Sequence, residues 1–506
     1  MKSEKAIPFA GDFIRGKWAV TDDGDEQWEV RSPANLKDIV LRPSAKYEHV
    51  HQAIEAARAA YLPWAHLGVD GRREHLLRLK EVFLSGAGEL AEIIARETGK
   101  PLWEAKTEAS ALASKIDLTL NYSIKLIAEE HIKDALPGVD GYTRFKPRGV
   151  MAVIGPFNFP AHLPNGHIIP ALVAGNTVVF KPSDKTPTCG QWMAQAFEKA
   201  GFPPGVFNMI QGQAEIGKRL VNHESVDGVL FTGSYEVGLK IKQDTMTHFW
   251  KILALEMGGK NATVIWDDAD LKKAVYESLV GSFMTSGQRC SCTSRIIVHR
   301  KVRDEFVERF YANAKKIKIG HWREDVFMGP LITAESQEKF LRYQEIAKRE
   351  GADSLMRGKA LNLDHDGYYV TPSINLVKEF NPKSVYQKSE IFGPNVAIFT
   401  VDTFEEALAI NNSSGFGLVM SLFSKNRALY EKALIEAQVG VLNWNRTTNG
   451  ASSKLPFGGM NKSGNDRPSG HFAIQYCTVP VASLEDQQPF TGDKMPPGLG
   501  FDYEAP

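Results

Sequence analysis

Hydrophobic and polar positions change rhythm several times along this chain of 506 residues. Short runs rich in β-branched and aromatic side chains come first, at 28–30 and 39–41, and predict strands. From about 46 to 129 the spacing becomes helical, with Leu76, Leu77, Leu79, Val82 and Phe83 on the pattern and Gly99-Lys100-Pro101 as punctuation. From Gly149 onward, apolar runs at 150–154, 177–180, 206–210, 229–232 and 252–255 alternate with helical segments at 164–174, 188–200, 215–222 and 235–244. Continuous apolar strands separated by helices predict a parallel, doubly wound α/β sheet covered on both faces. After Gly259 a second alternation begins: a strand at 263–265, a helix near 270–284, a strand at 294–298 and a long helix from Val302. It predicts a separate α/β domain. The tail after Gln487, bearing proline and glycine, is expected to pack as an irregular arm.

A chain of this length exceeds what one core normally serves, so two or three domains are expected. Lys+Arg and Asp+Glu are equal at 60 each, which argues against a general nucleic-acid or membrane-surface binder. The opening run Met1-Lys2-Ser3-Glu4-Lys5 carries no apolar signal core. The apolar stretch 150–180 is broken by Pro156, Asn158, Pro160, His162, Pro164 and Asn165, so no membrane span is expected. Four cysteines in so long a chain do not make a disulfide framework and fit a reducing cytoplasm.

Two runs carry the candidate chemistry. Gly287-Gln288-Arg289-Cys290 offers a thiol, and Leu255-Glu256-Met257-Gly258-Gly259-Lys260-Asn261 offers a carboxylate. A thiolate attacks carbonyl carbon well, and a carboxylate accepts the protons that must leave. Asn158, in Gly155-Pro156-Phe157-Asn158-Phe159-Pro160, lies just past a strand end, where α/β sheets present ligands. Cys189 and Cys477 stand in no chemical context and read as buried small side chains. Cys292 has no second cysteine pair or spaced histidine pair with it, so no metal is expected; it reads as a neighbouring thiol able to cross-link with Cys290 on oxidation. Phe231-Thr232-Gly233-Ser234, with Gly238, ends a strand and opens a helix, where backbone amides can approach a pyrophosphate. Alone this is an ordinary glycine turn. G-x-G-x-x-G is absent, and Leu239 stands where a phosphate loop needs lysine.

Taken together, these runs resemble the aldehyde dehydrogenase superfamily over nearly the whole chain. The resemblance implies Cys290 as nucleophile, Glu256 as the base for the hydrolytic water, and the Asn158 amide with the Cys290 backbone N–H as an oxyanion site. It implies that Gly233, Ser234 and Gly238 hold a nicotinamide dinucleotide. In Phe180-Lys181-Pro182-Ser183-Asp184, Lys181 would donate to a ribose hydroxyl and Asp184 would accept from one. In Glu390-Ile391-Phe392-Gly393-Pro394, Glu390 would bind the nicotinamide ribose and Phe392 would pack by the ring. The implied cofactor is NAD, although Asp184 is one methylene shorter than the glutamate common in NAD-preferring members. The implied organisation is an NAD-binding domain from 1–131 and 146–258, a catalytic domain from 259–470, and bridging segments at 132–145 and 471–506 that would pair copies into a homodimer or homotetramer.

Within the superfamily, the runs His162-Leu163-Pro164-Asn165-Gly166-His167, Asn443-Trp444-Asn445-Arg446 and Ser463-Gly464-Asn465-Asp466-Arg467 look like a branch acting on an acidic semialdehyde of arginine degradation. Such a substrate carries two carboxylates besides its aldehyde, so cations are expected in the pocket. Arg446 is the first candidate, with Arg289 and Arg467 behind it. The glycine-rich segment 450–470 is expected to shape the substrate entrance. Lys462 departs from the branch, adding a charge where a small residue is usual. Three rivals remain: a dehydrogenase of another acidic semialdehyde, a cysteine hydrolase without NAD, and a non-catalytic binding or structural protein on the same fold. The dinucleotide runs argue against the second, and the joint presence of Cys290, Glu256 and Asn158 argues against the third.

Overall fold

The computed structural model describes residues 5–20, 23–490 and 495–502, so residues 1–4 of the opening run lie outside it. The alternation after Gly149 becomes a seven-stranded sheet. Its strands run in the order Ile252–Glu256, Gly228–Thr232, Val150–Ile154, Thr177–Lys181, Phe207–Met209, Asp12–Ile14 and Lys17–Ala19. The first five are parallel, with Val150 opposite Thr177 and Thr232 opposite Glu256. The last two are antiparallel edge strands. Sequence pattern missed that pair, because three-residue strands hold too few positions to show a period. Of the two predicted early strands, 39–41 lies within Asn35–Leu41, whereas 28–30 meets the strand Val30–Ser32 only at Val30, with 28 and 29 in the gap after Glu26–Gln27.

The long helical region resolves into α1 (Tyr47–His66), α2 (Gly68–Thr98) and α3 (Leu102–Asn121). Gly99 separates α2 from α3 in a left-handed conformation (φ 74°), where a Cβ would lie 2.5 Å from Pro330. Next come α4 (His162–Ala174), α5 (Pro187–Lys199), α6 (Ala214–Asn222) and α7 (Tyr235–Asp244), connecting the parallel strands. Core packing is dense here: the buried rings of Phe197 and Phe207 stack with centroids 3.8 Å apart and planes 4° from parallel.

The second alternation also becomes a seven-stranded sheet, ordered Asp353–Met356, Ser373–Leu376, Asn395–Val401, Thr293–His299, Asn261–Ile265, Val419–Phe423 and Val441–Trp444. Only its Asp353–Met356 edge is antiparallel. α8 (Leu271–Phe283), α9 (Arg300–Ala314) and α10 (Ala334–Arg349) belong to this half of the chain. A hairpin, Glu130–Leu136 and Val139–Pro147, pairs with Thr478–Glu485 in a separate three-stranded sheet. Every residue of Glu130–Leu136 is exposed. The tail corrects an expectation: the described residues beyond Glu485 are all exposed, so it does not pack as an arm against its own chain. Its Phe490, Met495, Leu499 and Phe501 are exposed, and the rings of Phe490 and Phe501 meet edge-on at 5.6 Å.

Truncating Phe197 to alanine should cost about 3–5 kcal/mol by opening a cavity beside Phe207. The check is a lowered thermal midpoint in Phe197→Ala, with kcat per folded enzyme unchanged.

Candidate active site

Four parallel strands of the first sheet end at one place. Asn158 follows Val150–Ile154, Lys181 ends its strand, Gly233 follows Gly228–Thr232, and Glu256 ends the sheet's edge strand. Cys290 and Glu390 arrive from the opposite side, just before the second-sheet strands Thr293–His299 and Asn395–Val401. These side chains line one cavity of about 550 Å³, along with Asp184, Ser234 and Phe392. A crevice at strand carboxyl ends, between two sheets, is where this architecture places ligands.

Cys290 and Glu256 face each other. Burial pushes the Glu256 carboxyl up to about 8; the Cys290 thiol draws it down and the Glu390 charge adds to the rise. Burial, then Glu256, raises the Cys290 thiol well above its ordinary range. Neither Glu256 oxygen reaches full hydrogen-bond geometry with a partner among the described residues. The pair therefore rests as thiol and carboxyl, and a proton can pass from sulfur to oxygen once Glu256 is ionised. Asn158 is buried, and its Nδ2 donates to the Gln288 carbonyl at 3.0 Å. That bond ties the amide to the loop carrying the thiol. Asn261, a member of the glutamate run, donates to the carbonyls of Cys290 (2.6 Å) and Cys292 (3.0 Å). Gly259 allows this approach, since a Cβ there would lie 2.6 Å from the Cys290 carbonyl oxygen.

The turn before the thiol is strained. Thr285, Ser286 and Gly287 take left-handed φ of 55°, 53° and 71°, which for the two non-glycine residues costs roughly 1–3 kcal/mol each. Hydrogen bonds hold it: Thr285 Oγ1 donates to Glu104, Ser286 Oγ to the Gly329 carbonyl at 2.8 Å, and Gln288 accepts from the Ile332 amide at 3.0 Å. Behind the turn runs a chain of buried charges. Arg289 pairs with Glu104 at 2.7 Å and lies over the Phe159 ring at 4.9 Å. Lys100 pairs with Glu108 at 2.8 Å and donates to the Asn158 carbonyl at 2.6 Å. Glu108 in turn accepts from the amides of Ala161 and His162 at the start of α4. Burial alone would raise the Glu104 carboxyl, but Arg289, Lys100 and the bond from Thr285 together hold it below its ordinary value. Sequence reading treated Lys100 as punctuation and passed over Glu104 and Glu108. Their spacing of four residues on a helical stretch was the only signal.

At the cofactor end, Lys181 is buried and donates to the Pro182 carbonyl at 2.9 Å; burial lowers its ammonium to about 8. Asp184 pairs with Lys185 at 2.7 Å. Ser234 caps α7, accepting from the Val237 amide at 3.3 Å, and so aims the positive end of that helix at the cavity. Two glycines behave differently from expectation. The Gly233 amide is held by the Glu256 carbonyl at 3.0 Å. Gly238 does not line the cavity; a Cβ there would meet Met257 Sδ at 2.3 Å, so its work is to seat α7 against Met257 and Phe231. Glu390 accepts from the Gly259 amide at 2.8 Å, and a Cβ on Gly258 would lie 2.0 Å from its carboxylate. Burial raises Glu390 to about 7 against that bond and Lys339. Phe392 holds φ 59° and meets Phe157 edge-on at 5.8 Å. The cavity thus joins ribose-type partners, a helix N-terminus and the thiol in one space, which fits a dinucleotide.

The three arginines separate. None of them lines the Cys290 cavity, contrary to expectation; Arg446 is exposed, and its guanidinium has no hydrogen bond or ion pair among the described residues. Its loop reaches the nucleophile loop through Ser291 Oγ, which donates to Asn449 at 2.8 Å. Arg289 is engaged by Glu104, and Arg467 donates to the Gly459 carbonyl at 2.8 Å from a left-handed backbone. Lys462 lies over the Tyr235 ring at 5.1 Å and does not line the cavity.

Residues 18–481 match the family model described as the aldehyde dehydrogenase family. A curated relative, N-succinylglutamate 5-semialdehyde dehydrogenase of Acinetobacter baylyi, is 39% identical over 492 residues, covering 96% of this chain and 98% of the relative. The protein of the same name from Escherichia coli is 37% identical over 496 residues, covering 97% and 99%. Among solved structures, a lactaldehyde dehydrogenase superposes with TM-score 0.89 at 30% identity, covering 94% of this chain and 99% of that one. A 1-pyrroline-5-carboxylate dehydrogenase from Thermus with bound NAD gives 0.87 at 30%, covering 94% and 92%.

Lys100→Met should leave the buried Glu108 carboxylate without its counter-ion and cost about 3–5 kcal/mol. Thermal denaturation checks it, and Lys100→Met combined with Glu108→Gln should recover most of the loss.

Proposed function

The chain belongs to the aldehyde dehydrogenase family and is an NAD(P)-dependent enzyme of it, and we propose that it oxidises N-succinyl-L-glutamate 5-semialdehyde to N-succinyl-L-glutamate with NAD. The observation that carries the chemistry is the convergence of Cys290, Glu256 and Asn158 on one cavity. Two things support the substrate: the full-length relatives bearing that name, and an uncommitted Arg446 three residues from Asn449, which bonds Ser291 of the nucleophile loop. A bidentate guanidinium suits a substrate carboxylate. Arg289 and Arg467 are weaker choices, because each is already engaged by a protein acceptor.

Glu256 takes the Cys290 proton, and sulfur forms a bond to the aldehyde carbon. Asn158 Nδ2 and the Cys290 amide donate to the resulting oxyanion. NAD supplies the hydride acceptor when bound; Lys181, Asp184, Ser234 and Glu390 would hold it, and Phe392 would pack by its ring. Loss of hydride from the carbon leaves a thioester on Cys290. Glu256 gives its first proton up to solvent and then deprotonates water, which attacks that carbon; the carbon–sulfur bond breaks, releasing the acid and restoring the thiolate.

The hairpin Glu130–Leu136 with Val139–Pro147 and the strand Thr478–Glu485 expose Ile132, Leu136 and Leu484, which suits pairing of copies into a homodimer or homotetramer. No described helix is long and apolar enough to cross a membrane, and all four cysteines are free thiols. Both features sit comfortably with a cytoplasmic enzyme.

Turnover should be fastest with N-succinylglutamate semialdehyde, then with succinic or glutamate semialdehyde; equal rates on all three would refute the narrow substrate, and none with Cys290 intact would favour a non-catalytic protein. Arg446→Met should raise KM for the first substrate at least tenfold, by loss of a charge-assisted contact, and leave a neutral aldehyde unaffected. Glu256 works deprotonated, so kcat/KM should climb as pH rises through about 8. A pH profile of Glu256→Gln should lose that limb.

A further inference from the structure

A second cavity, of about 450 Å³, shares no lining residue with the one at Cys290. Glu89, Glu92 and Arg96 of α2 face Thr188, Gln191 and Trp192 of α5 across it. Spacings of three and four residues put each set on one helix face, so two helices that pack together elsewhere leave a gap here. The gap is a built one. Gln191 pins the N-terminal arm that roofs it, accepting from the Ala10 amide at 2.8 Å and donating to the Pro8 carbonyl at 3.0 Å. Trp192 is fixed on three sides: its Nε1 donates to Glu89 at 3.0 Å, its ring stacks on Phe83 at 6.2 Å, and it lies against Gly86, where a Cβ would come within 2.6 Å.

Two cations lie near the cavity: Arg323 sits over the Trp322 ring at 4.4 Å, and Arg96 borders the gap. Arg96 is neutralised by Asp38, which accepts from it at 2.9 and 2.7 Å. Glu89 and Glu92 are exposed at the opening, and neither pairs with a cation among the described residues. Deeper in, Trp322 and Thr188 are 2% and 1% exposed, yet Trp322 Nε1 and Thr188 Oγ1 have no hydrogen-bond partner there. A buried donor left so asks for an oxygen. A neutral oxygen suits this end, because the buried Glu97 carboxyl, which accepts from the Thr188 amide at 2.7 Å and is raised by burial to about 7, keeps part of a negative charge that would oppose an anion.

We propose that this cavity binds an organic cation: a primary ammonium on an apolar stem whose other end carries a neutral oxygen. The ammonium sits at Glu89 and Glu92, the stem lies along the Trp192 indole, and the oxygen accepts from Trp322 Nε1. Calorimetric titration of the full-length enzyme with 6-amino-1-hexanol, 1-hexanol and 6-hydroxyhexanoate tests it. Saturable binding is expected for the amine alone, at least tenfold weaker in Glu89→Gln/Glu92→Gln and in Trp322→Phe, with aldehyde oxidation in the absence of probe unchanged. The acidic double variant keeps both indoles, so it reads the charge even if Trp322→Phe folds poorly. No saturable binding of the amine, equal binding of the alcohol or the acid, unchanged binding in the double variant, or competition with NAD would each overturn the site.

Discussion

Everything at the reacting centre hangs on the face that α3 turns inward. Glu104 holds the strained turn before Cys290 through Thr285 and Arg289. Glu108 holds Lys100, which grips the Asn158 carbonyl, and also the first amides of α4. Lys115, one face further along, donates to the Gly470 carbonyl in the segment read as the substrate entrance. One helix therefore positions the thiol loop, the oxyanion loop and the mouth together. Alternating signs make this affordable inside the protein, because each buried charge has an opposite neighbour and hydrogen bonds besides.

That rigidity explains how an unfavourable ionisation state can be useful. Cys290 and Glu256 both rest largely protonated near neutrality, because burial penalises either charge; Glu390 adds to the rise at Glu256, and Glu256 adds to the rise at Cys290. In the proposed reaction the neutral thiol would become a nucleophile only in the fraction of molecules whose facing Glu256 is ionised. The left-handed backbone at Thr285, Ser286 and Phe392 belongs to the same economy of placement: strain tolerated where geometry matters, held by surrounding hydrogen bonds.

The chemistry-bearing residues were legible in the chain because they sit in short runs with glycines whose backbone the fold requires. Gly258 and Gly259 stand where any side chain would collide with Glu390, Asn261 or the Cys290 carbonyl. The central parallel strands were legible too, since both their faces are buried and their runs are apolar throughout. Edge strands and the tail were not, because a few residues carry no period and solvent-facing positions accept almost anything.

What the sequence determined by itself was therefore the set of candidate reacting groups, Cys290, Glu256 and Asn158, and the alternation that becomes two α/β sheets. Tertiary structure decided which neighbours matter. It took Arg289 into an ion pair and left Arg446 uncommitted, moved Gly238 from a ligand contact to a packing contact, and turned Lys100, Glu104 and Glu108 from unremarked polar positions into the support of the site. The reason is physical: local sequence sets backbone conformation and burial pattern, but the partner that satisfies a buried charge lies tens or hundreds of residues away, and only the folded chain brings it within reach.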